Sequence, residues 1–114
     1  MKHTISLKEN HVFRRMYHRA RSTAGRHLVL YCQRNRLGYN RLGLTVSAKL
    51  ANAVGRNRVK RLLREAYRLH EEQFSTGVDI VLVARSRAVG AHYVDIERSL
   101  LRALQEHPVA AAKR

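Results

Sequence analysis

The stretch Asn52-Ala-Val-Gly-Arg-Asn-Arg-Val-Lys-Arg-Leu-Leu-Arg-Glu-Ala-Tyr-Arg-Leu69 carries six basic residues, Arg56, Arg58, Lys60, Arg61, Arg64 and Arg68. Its apolar residues recur with helical spacing. At about 100° per residue, Val59, Leu62, Leu63, Ala66 and Leu69 fall on one arc, with Tyr67 at its edge. Asn57, Lys60, Arg61, Arg64 and Arg68 fall on the opposite arc, and Arg56 and Arg58 flank the boundary. One face can therefore rest on a core while the other presents guanidinium groups at a spacing suited to successive phosphates. A merely solvated helix face mixes signs, with acids about four residues from bases. Here only Glu65 interrupts the basic run, and Glu71 and Glu72 come after its end. Charge and geometry together point to nucleic-acid binding.

Composition points the same way. The 114 residues suffice for one domain with a modest core, and 23 Lys and Arg against 8 Asp and Glu leave a net charge of +15. A compact domain so charged repels itself, so a polyanionic partner is expected. A hydrophobic fraction of 45% argues for a folded domain rather than a basic tail. A membrane is disfavoured, because no apolar run approaches the ~20 residues that span a bilayer and no signal peptide opens the chain. The lone Cys32 excludes an internal disulfide and fits a cytoplasmic location. Its alternation with Leu28 and Leu30 suits a buried strand thiol better than a nucleophile.

No catalytic or metal-binding constellation emerges. Metal-dependent phosphodiester hydrolysis needs clustered carboxylates. Glu9, Glu65, Glu71, Glu72, Asp79, Asp95, Glu97 and Glu106 are dispersed, and most suit helix caps or surface pairs. Histidines invite acid–base chemistry, but His3, His11, His18, His27, His70, His92 and His107 show no ligand or catalytic spacing.

Around the basic helix the pattern is mixed. Ser6 with Glu9, or Asn10 alone, can cap a first helix with an apolar stripe of Val12, Phe13, Met16, Tyr17 and Ala20. A polar stretch with Gly25 ends that helix. His27 to Gln33 alternates as a strand, with Leu28, Leu30 and Cys32 on one side and His27, Val29 and Tyr31 on the other. Residues 35–40, including Gly38, suit a hairpin connection to a second strand. There Leu42, Leu44 and Val46 share one face, and Gly43, Thr45 and Ser47 the other. The basic helix is expected from Ala53 or Arg56 to Phe74. Val78 to Ala84 is an almost continuous apolar run, as for a strand covered on both faces. Asp95 to Glu106 completes the pattern as a helix with Ile96, Leu100, Ala103 and Leu104 inward. Residues 1–5 and 108–114 are expected to fray. The sum is a single α+β domain over residues 1–114.

These blocks resemble a known family. Ala51-Asn-Ala-Val-Gly-Arg-Asn-Arg-Val-Lys-Arg-Leu-Leu-Arg-Glu65 closely resembles the signature of the bacterial ribonuclease P protein subunit, built on Arg-Asn-Arg, then Lys-Arg, then a further Arg. Leu7-Lys-Glu-Asn-His-Val-Phe13 is similar to the family's opening helix, and Leu28-Val-Leu-Tyr31 to its first long strand. Leu42-Gly-Leu-Thr-Val-Ser47 with Lys49 precedes the signature as in the family, and Asp79-Ile-Val-Leu-Val-Ala-Arg85 follows it. The resemblance spans residues 6 to 106. Ala48 departs where the family often has a second basic residue, and Ala51 where it often has Gly, weakening one phosphate contact and one turn.

The resemblance implies an αβββαβα sandwich with a central sheet of about four strands, similar to the second domain of a ribosomal small-subunit protein. It also implies a left-handed crossover carrying the basic helix, against the usual right-handed rule. It implies an accessory subunit of ribonuclease P that binds a catalytic RNA. That ribonucleoprotein removes the 5′ leader of precursor tRNA with Mg²⁺ held by the RNA, so the protein has no active site and binds no cofactor tightly. Its partners would be the catalytic RNA and precursor tRNA, with no membrane and no obligate protein partner. Arg56, Asn57, Arg58, Lys60, Arg61 and Arg64 match the RNA-binding motif, with Arg68 and Lys49 beside it. Phe13, Tyr17 and Tyr31 match aromatic positions that line a leader cleft. Aromatic platforms hold unstacked bases with little sequence preference, and a basic rim tracks phosphates. On periodicity alone Phe13 and Tyr17 belong to a helix core; the resemblance reverses that choice.

Three other classes compete. A small structural RNA-binding protein of ribosomal type fits the size and charge equally, but does not require the ordered Arg-Asn-Arg block together with the aromatics. An autonomous nuclease lacks its constellation. A DNA-binding module lacks a helix-turn-helix pair or zinc spacing.

Overall fold

Residues 1–112 are described by a computed structural model, in which five strands and three α-helices follow one another, with short 3-10 turns at Glu71–Gln73 and Ser86–Ala88. They are β1 (Thr4–Ser6), α1 (Asn10–Arg19), β2 (Arg21–Ala24), β3 (Leu28–Arg34), β4 (Asn40–Thr45), α2 (Ala53–Leu69), β5 (Val78–Ala84) and α3 (Tyr93–Glu106). The expected αβββαβα order is present, with β1 added in front. The sheet runs β1-β4-β5-β3-β2 and is mixed: β5 is parallel to β4 and antiparallel to β3. Five strands replace the expected four, because β1 pairs parallel with β4, Thr4 opposite Asn40.

Alternation divides the sheet into two faces. Leu28, Leu30, Cys32, Leu42, Val78, Ile80 and Leu82 pack under α2 and α3 with Val59, Leu63, Ala66, Tyr67, Ile96, Leu100 and Ala103. Val81 faces the other way, into a smaller cluster with Leu7, Val12 and Met16 beneath α1. β5 is therefore covered on both sides, which its continuous apolar run requires. This arrangement corrects the expected hairpin. Residues 35–39 do not join neighbouring strands, because β5 lies between β3 and β4 (Leu30 opposite Leu82, Leu42 opposite Ile80). A strand apolar on both faces gains most from the central position.

Several local expectations shift. The Ser6–Glu9 capping box does not form: Ser6 belongs to β1, and Glu9 sits at the N-cap without a side-chain cap bond. The Glu9 carboxylate instead lies 3.4 Å from Arg41. α2 starts as expected, with Asn52 Oδ1 accepting from the Gly55 N–H at 2.8 Å. It ends at Leu69 rather than Phe74. The cause is Glu71, whose buried carboxylate accepts from the Lys2 and His3 N–H groups and from the Thr4 hydroxyl. That bond set ties β1 to the chain after α2. The inward arc of α2 is also rotated: Tyr67 is fully buried while Leu69 is 53% exposed and Leu62 half-buried. Tyr67 can go inward because its hydroxyl meets Thr4 Oγ1 (2.8 Å) and the Asn40 amide (3.2 Å).

The ends are tied down where fraying was expected. Residues 4–6 form β1, and Ala110 O accepts from the Ser75 N–H while the Ala112 N–H donates to Gln73 O, at 2.8 and 2.9 Å. His107 anchors that return. It is buried, its Nδ1 accepts from the Val109 and Ala110 N–H groups, and Nε2 bonds Arg21 O at 2.8 Å. Lys113 and Arg114, also included in the expected fraying, lie outside the described residues.

Candidate nucleic-acid interface

On α2 the basic side chains do not act alike. Asn57, Arg61 and Arg64 are exposed and Lys60 is half-buried. They follow the i, i+3, i+4, i+7 spacing of one helix face. Among the described residues, Lys60, Arg61 and Arg64 have no carboxylate within ion-pair distance. The other three arginines are engaged. Arg56 donates to Ala51 O at 2.9 Å, bracing the turn before the helix, and Arg58 donates to Ala91 O at 3.0 Å, fixing α2 to the approach of α3. Arg68 pairs with Glu65 one turn back. Lys49 is exposed in the turn ahead of α2.

Phe13, Tyr17 and Tyr31 meet on the α1 side of the sheet. The Phe13 and Tyr17 ring centroids are 6.4 Å apart, and Tyr17 stands edge-on to Tyr31 at 5.3 Å. Tyr17 is 40% exposed, and its hydroxyl shares a 2.8 Å hydrogen bond with Thr45 Oγ1 that fixes the last turn of α1 over β4. Phe13 is half-buried with its ring tip on Gly43, where a Cβ would come within 2.4 Å of Phe13 Cζ. Within the stripe, Val12 and Met16 are core, Phe13 is half-buried between them, and Tyr17, which periodicity alone assigned to the core, faces out.

A groove of about 510 Å³ joins Phe13 and Tyr17 to the basic helix, with the half-buried Tyr31 behind Tyr17 and outside the lining. Asn10, Phe13, Arg14 and Tyr17 of α1 form one wall, Leu44 to Val46 the floor, and Lys60 of α2 the other wall. Phe13 and Lys60 also line an adjoining cavity of about 250 Å³ that reaches Arg64. Arg14 lines the groove although it belongs to no sequence motif; the one signal for it is the helical face shared by Asn10, Phe13, Arg14 and Tyr17.

The acids do not gather. Among the described residues, no three or more His, Cys, Asp or Glu side chains are placed to hold a metal ion. Two acids are buried rather than serving as caps or surface pairs. Asp79 is 1% exposed and receives Arg41 through Nε at 2.7 Å and Nη2 at 2.8 Å, with the Asn35 amide at 2.9 Å. Burial raises the Asp79 pKa, but the Arg41 and Asn35 bonds outweigh it and hold the carboxyl below its ordinary range. Cys32 is a buried strand thiol as expected; burial, with Asp79 nearby, pushes it up to about 12, far from a reactive thiolate. No helix among the described residues is long and apolar enough to cross a membrane.

Fold and surface together define a small α+β domain that sets a basic helix beside an aromatic cleft. The family model described as Ribonuclease P matches residues 1–107. The ribonuclease P protein component of Alkaliphilus metalliredigens (strain QYMF) is 43% identical over 106 residues, covering 93% of this chain and 96% of that protein. The solved Staphylococcus aureus RNase P protein superposes with a TM-score of 0.79 at 37% identity, over 88% of this chain and 92% of that one. The Thermotoga maritima RNase P protein gives 0.77 at 26% identity, over 85% and 92%. The chain belongs to the ribonuclease P protein family. Members are protein components of ribonuclease P, a tRNA-processing endoribonuclease.

Proposed function

We propose that this protein binds the catalytic RNA of ribonuclease P through the exposed face of α2 and holds the single-stranded 5′ leader of precursor tRNA in the α1 groove. The observation that carries this reading is the continuity of the groove. Tyr17 and Phe13 offer ring surface to unstacked bases, and Arg14 and Lys60 stand beside them for the phosphates between. Arg56 and Arg58 position α2, and Asn57, Lys60, Arg61 and Arg64 supply the RNA-facing surface, with Lys49 and Arg68 at its ends. Hydrolysis belongs to the RNA and its Mg²⁺, in the cytoplasm, a reading supported by the dispersal of the acids among the described residues. The left-handed sense of the β4–α2–β5 crossover is part of the same reading.

The experiment reconstitutes the holoenzyme and measures its affinity for precursor and mature tRNA with Tyr17→Ala and Tyr31→Ala. Tyr17 is exposed enough for truncation to spare the fold. A loss of ~1 kcal/mol or more is expected for the precursor alone, growing with leader length. Equal losses on both substrates would return the aromatics to a packing role. The protein alone should leave precursor tRNA uncut, and the RNA alone should retain cleavage at high Mg²⁺.

A further inference from the structure

The edge of the molecule opposite the α2 face carries a second concentration of positive charge. The β2–β3 connection is pressed against α3: a Cβ on Gly25 would lie 2.8 Å from Ser99 O, and Thr23 Oγ1 donates to Ala103 O at 2.7 Å. His27 Nδ1 and Ser99 Oγ are 2.6 Å apart, and Arg85 Nη1 donates to Gly25 O at 2.9 Å. This seam bounds a cavity of about 530 Å³ rimmed by Arg26, Arg85, Arg98 and Arg102, all exposed. Arg98 and Arg102 stand one helical turn apart. Two carboxylates share the rim, so four guanidinium groups are only half compensated. Asp95 is occupied by the His92 N–H at 3.2 Å, and Glu106 approaches Arg102 only to 3.8 Å.

We infer that this rim is a second binding surface for RNA, reading the phosphodiester backbone of the folded catalytic RNA rather than its bases. The inference rests on the function proposed above. Arginine forks suit phosphate oxygens bidentately. No Phe, Tyr or Trp lines the cavity, so it offers none of the stacking surface of the leader groove. Its largest apolar lining residue is Ala24, so it lacks the bulky apolar side chains with which surface helices enter a membrane. The sheet order separates the two basic edges: Lys60 and Arg64 border β1 and β4, whereas Arg98 and Arg102 border the β2–β3 connection. Four strand spacings of ~4.8 Å set the outer strands about 19 Å apart. The protein can therefore engage two separate RNA segments at once.

The test uses the full chain with its cognate catalytic RNA and precursor tRNA. Each lost phosphate contact lowers the slope of log affinity against log salt by ~0.9 for duplex and somewhat less for single strands. Arg26→Ala, Arg98→Ala and Arg102→Ala combined should weaken binding to the catalytic RNA and flatten the slope by roughly two to three units, with the melting transition intact. Arg98→Lys with Arg102→Lys should keep most of the slope. A folded triple variant with unchanged slope would overturn the inference. A second measurement covers a triple variant that does not fold. Because Cys32 is buried, an iron chelate can be tethered selectively at Arg102→Cys or Arg64→Cys. Cuts from Arg102→Cys in the catalytic RNA, at positions distinct from those from Arg64→Cys, are expected. Cuts confined to precursor tRNA, or none beside an active Arg64→Cys probe, would sink this surface alone. Silence from both probes would overturn the function reading with it.

Discussion

Gly43 shows how one absent methyl group shapes a cleft. It lies on β4 facing α1, and the Phe13 ring tip fills the space its side chain would take. Gly43→Ala forces the ring upward into the groove and should cost about 1–3 kcal/mol of stability, as overpacking does. Phe13→Leu on top of Gly43→Ala should recover part of that loss, so the pair should be clearly non-additive in denaturant unfolding. A neutral Gly43→Ala, or strict additivity, would mean the ring is not seated there. Strand alternation placed Gly43 on the face opposite Leu42 and Leu44, and a glycine within a strand signals a close approach. Which side chain approaches is a tertiary fact that no local pattern carries. The same holds for Tyr17 and Tyr31, 14 residues apart in sequence and edge-to-face in space. Only the family resemblance brought them together beforehand.

At the scale of elements, α2 was legible in sequence to within a few residues and one step of rotation. Its amphipathic period set the helix and its two faces. Its phase was off because Tyr67 counted as marginal, and the two polar partners that let its hydroxyl go inward come from β1 and β4. The consequence is measurable. Leu63 is fully buried, so Leu63→Ala should cost roughly 2–5 kcal/mol. Leu62→Ala should cost visibly less, and Leu69→Ala should stay within about 0.5 kcal/mol. A ranking with Leu69 as costly as Leu63 would restore the arc read from sequence. β2 was not legible, since Arg21-Ser-Thr-Ala24 has no apolar alternation and is held at the sheet edge by β3. β5 was recognised as doubly covered, but periodicity says nothing of a strand's neighbours, and the short loop suggested a β3–β4 hairpin that does not exist.

For the whole molecule, three buried titratable groups set the response to acid. Desolvation lowers the His107 pKa, so its folded value lies below the unfolded ~6.5. Its contribution is complete above ~6.5 and is lost as pH falls from there through the folded value. Burial raises the Glu71 pKa, but the Thr4 hydroxyl and the Lys2 and His3 N–H groups outweigh it, as Arg41 and Asn35 do at Asp79. These carboxylates stabilise fully above unfolded values near 4.3 and 3.9 and lose that effect as pH falls through their lower folded values. Melting temperature should therefore decline in two stages, and His107→Phe should remove the upper one. Matching profiles for parent and variant between about pH 4.5 and 6.5 would contradict this. The central position of β5 also governs timing. During synthesis the chain exposes β3, β4 and α2 before residues 78–84 exist, and of the sheet's inner pairs neither can form without them. The local β2–β3 pair is all the sheet an N-terminal nascent fragment can assemble beyond the small β1–β4 contact. Such non-local closure is slow. The basic helix thus leaves the ribosome before the surface that seats it, and the domain folds late, with its guanidinium face already open to any RNA nearby.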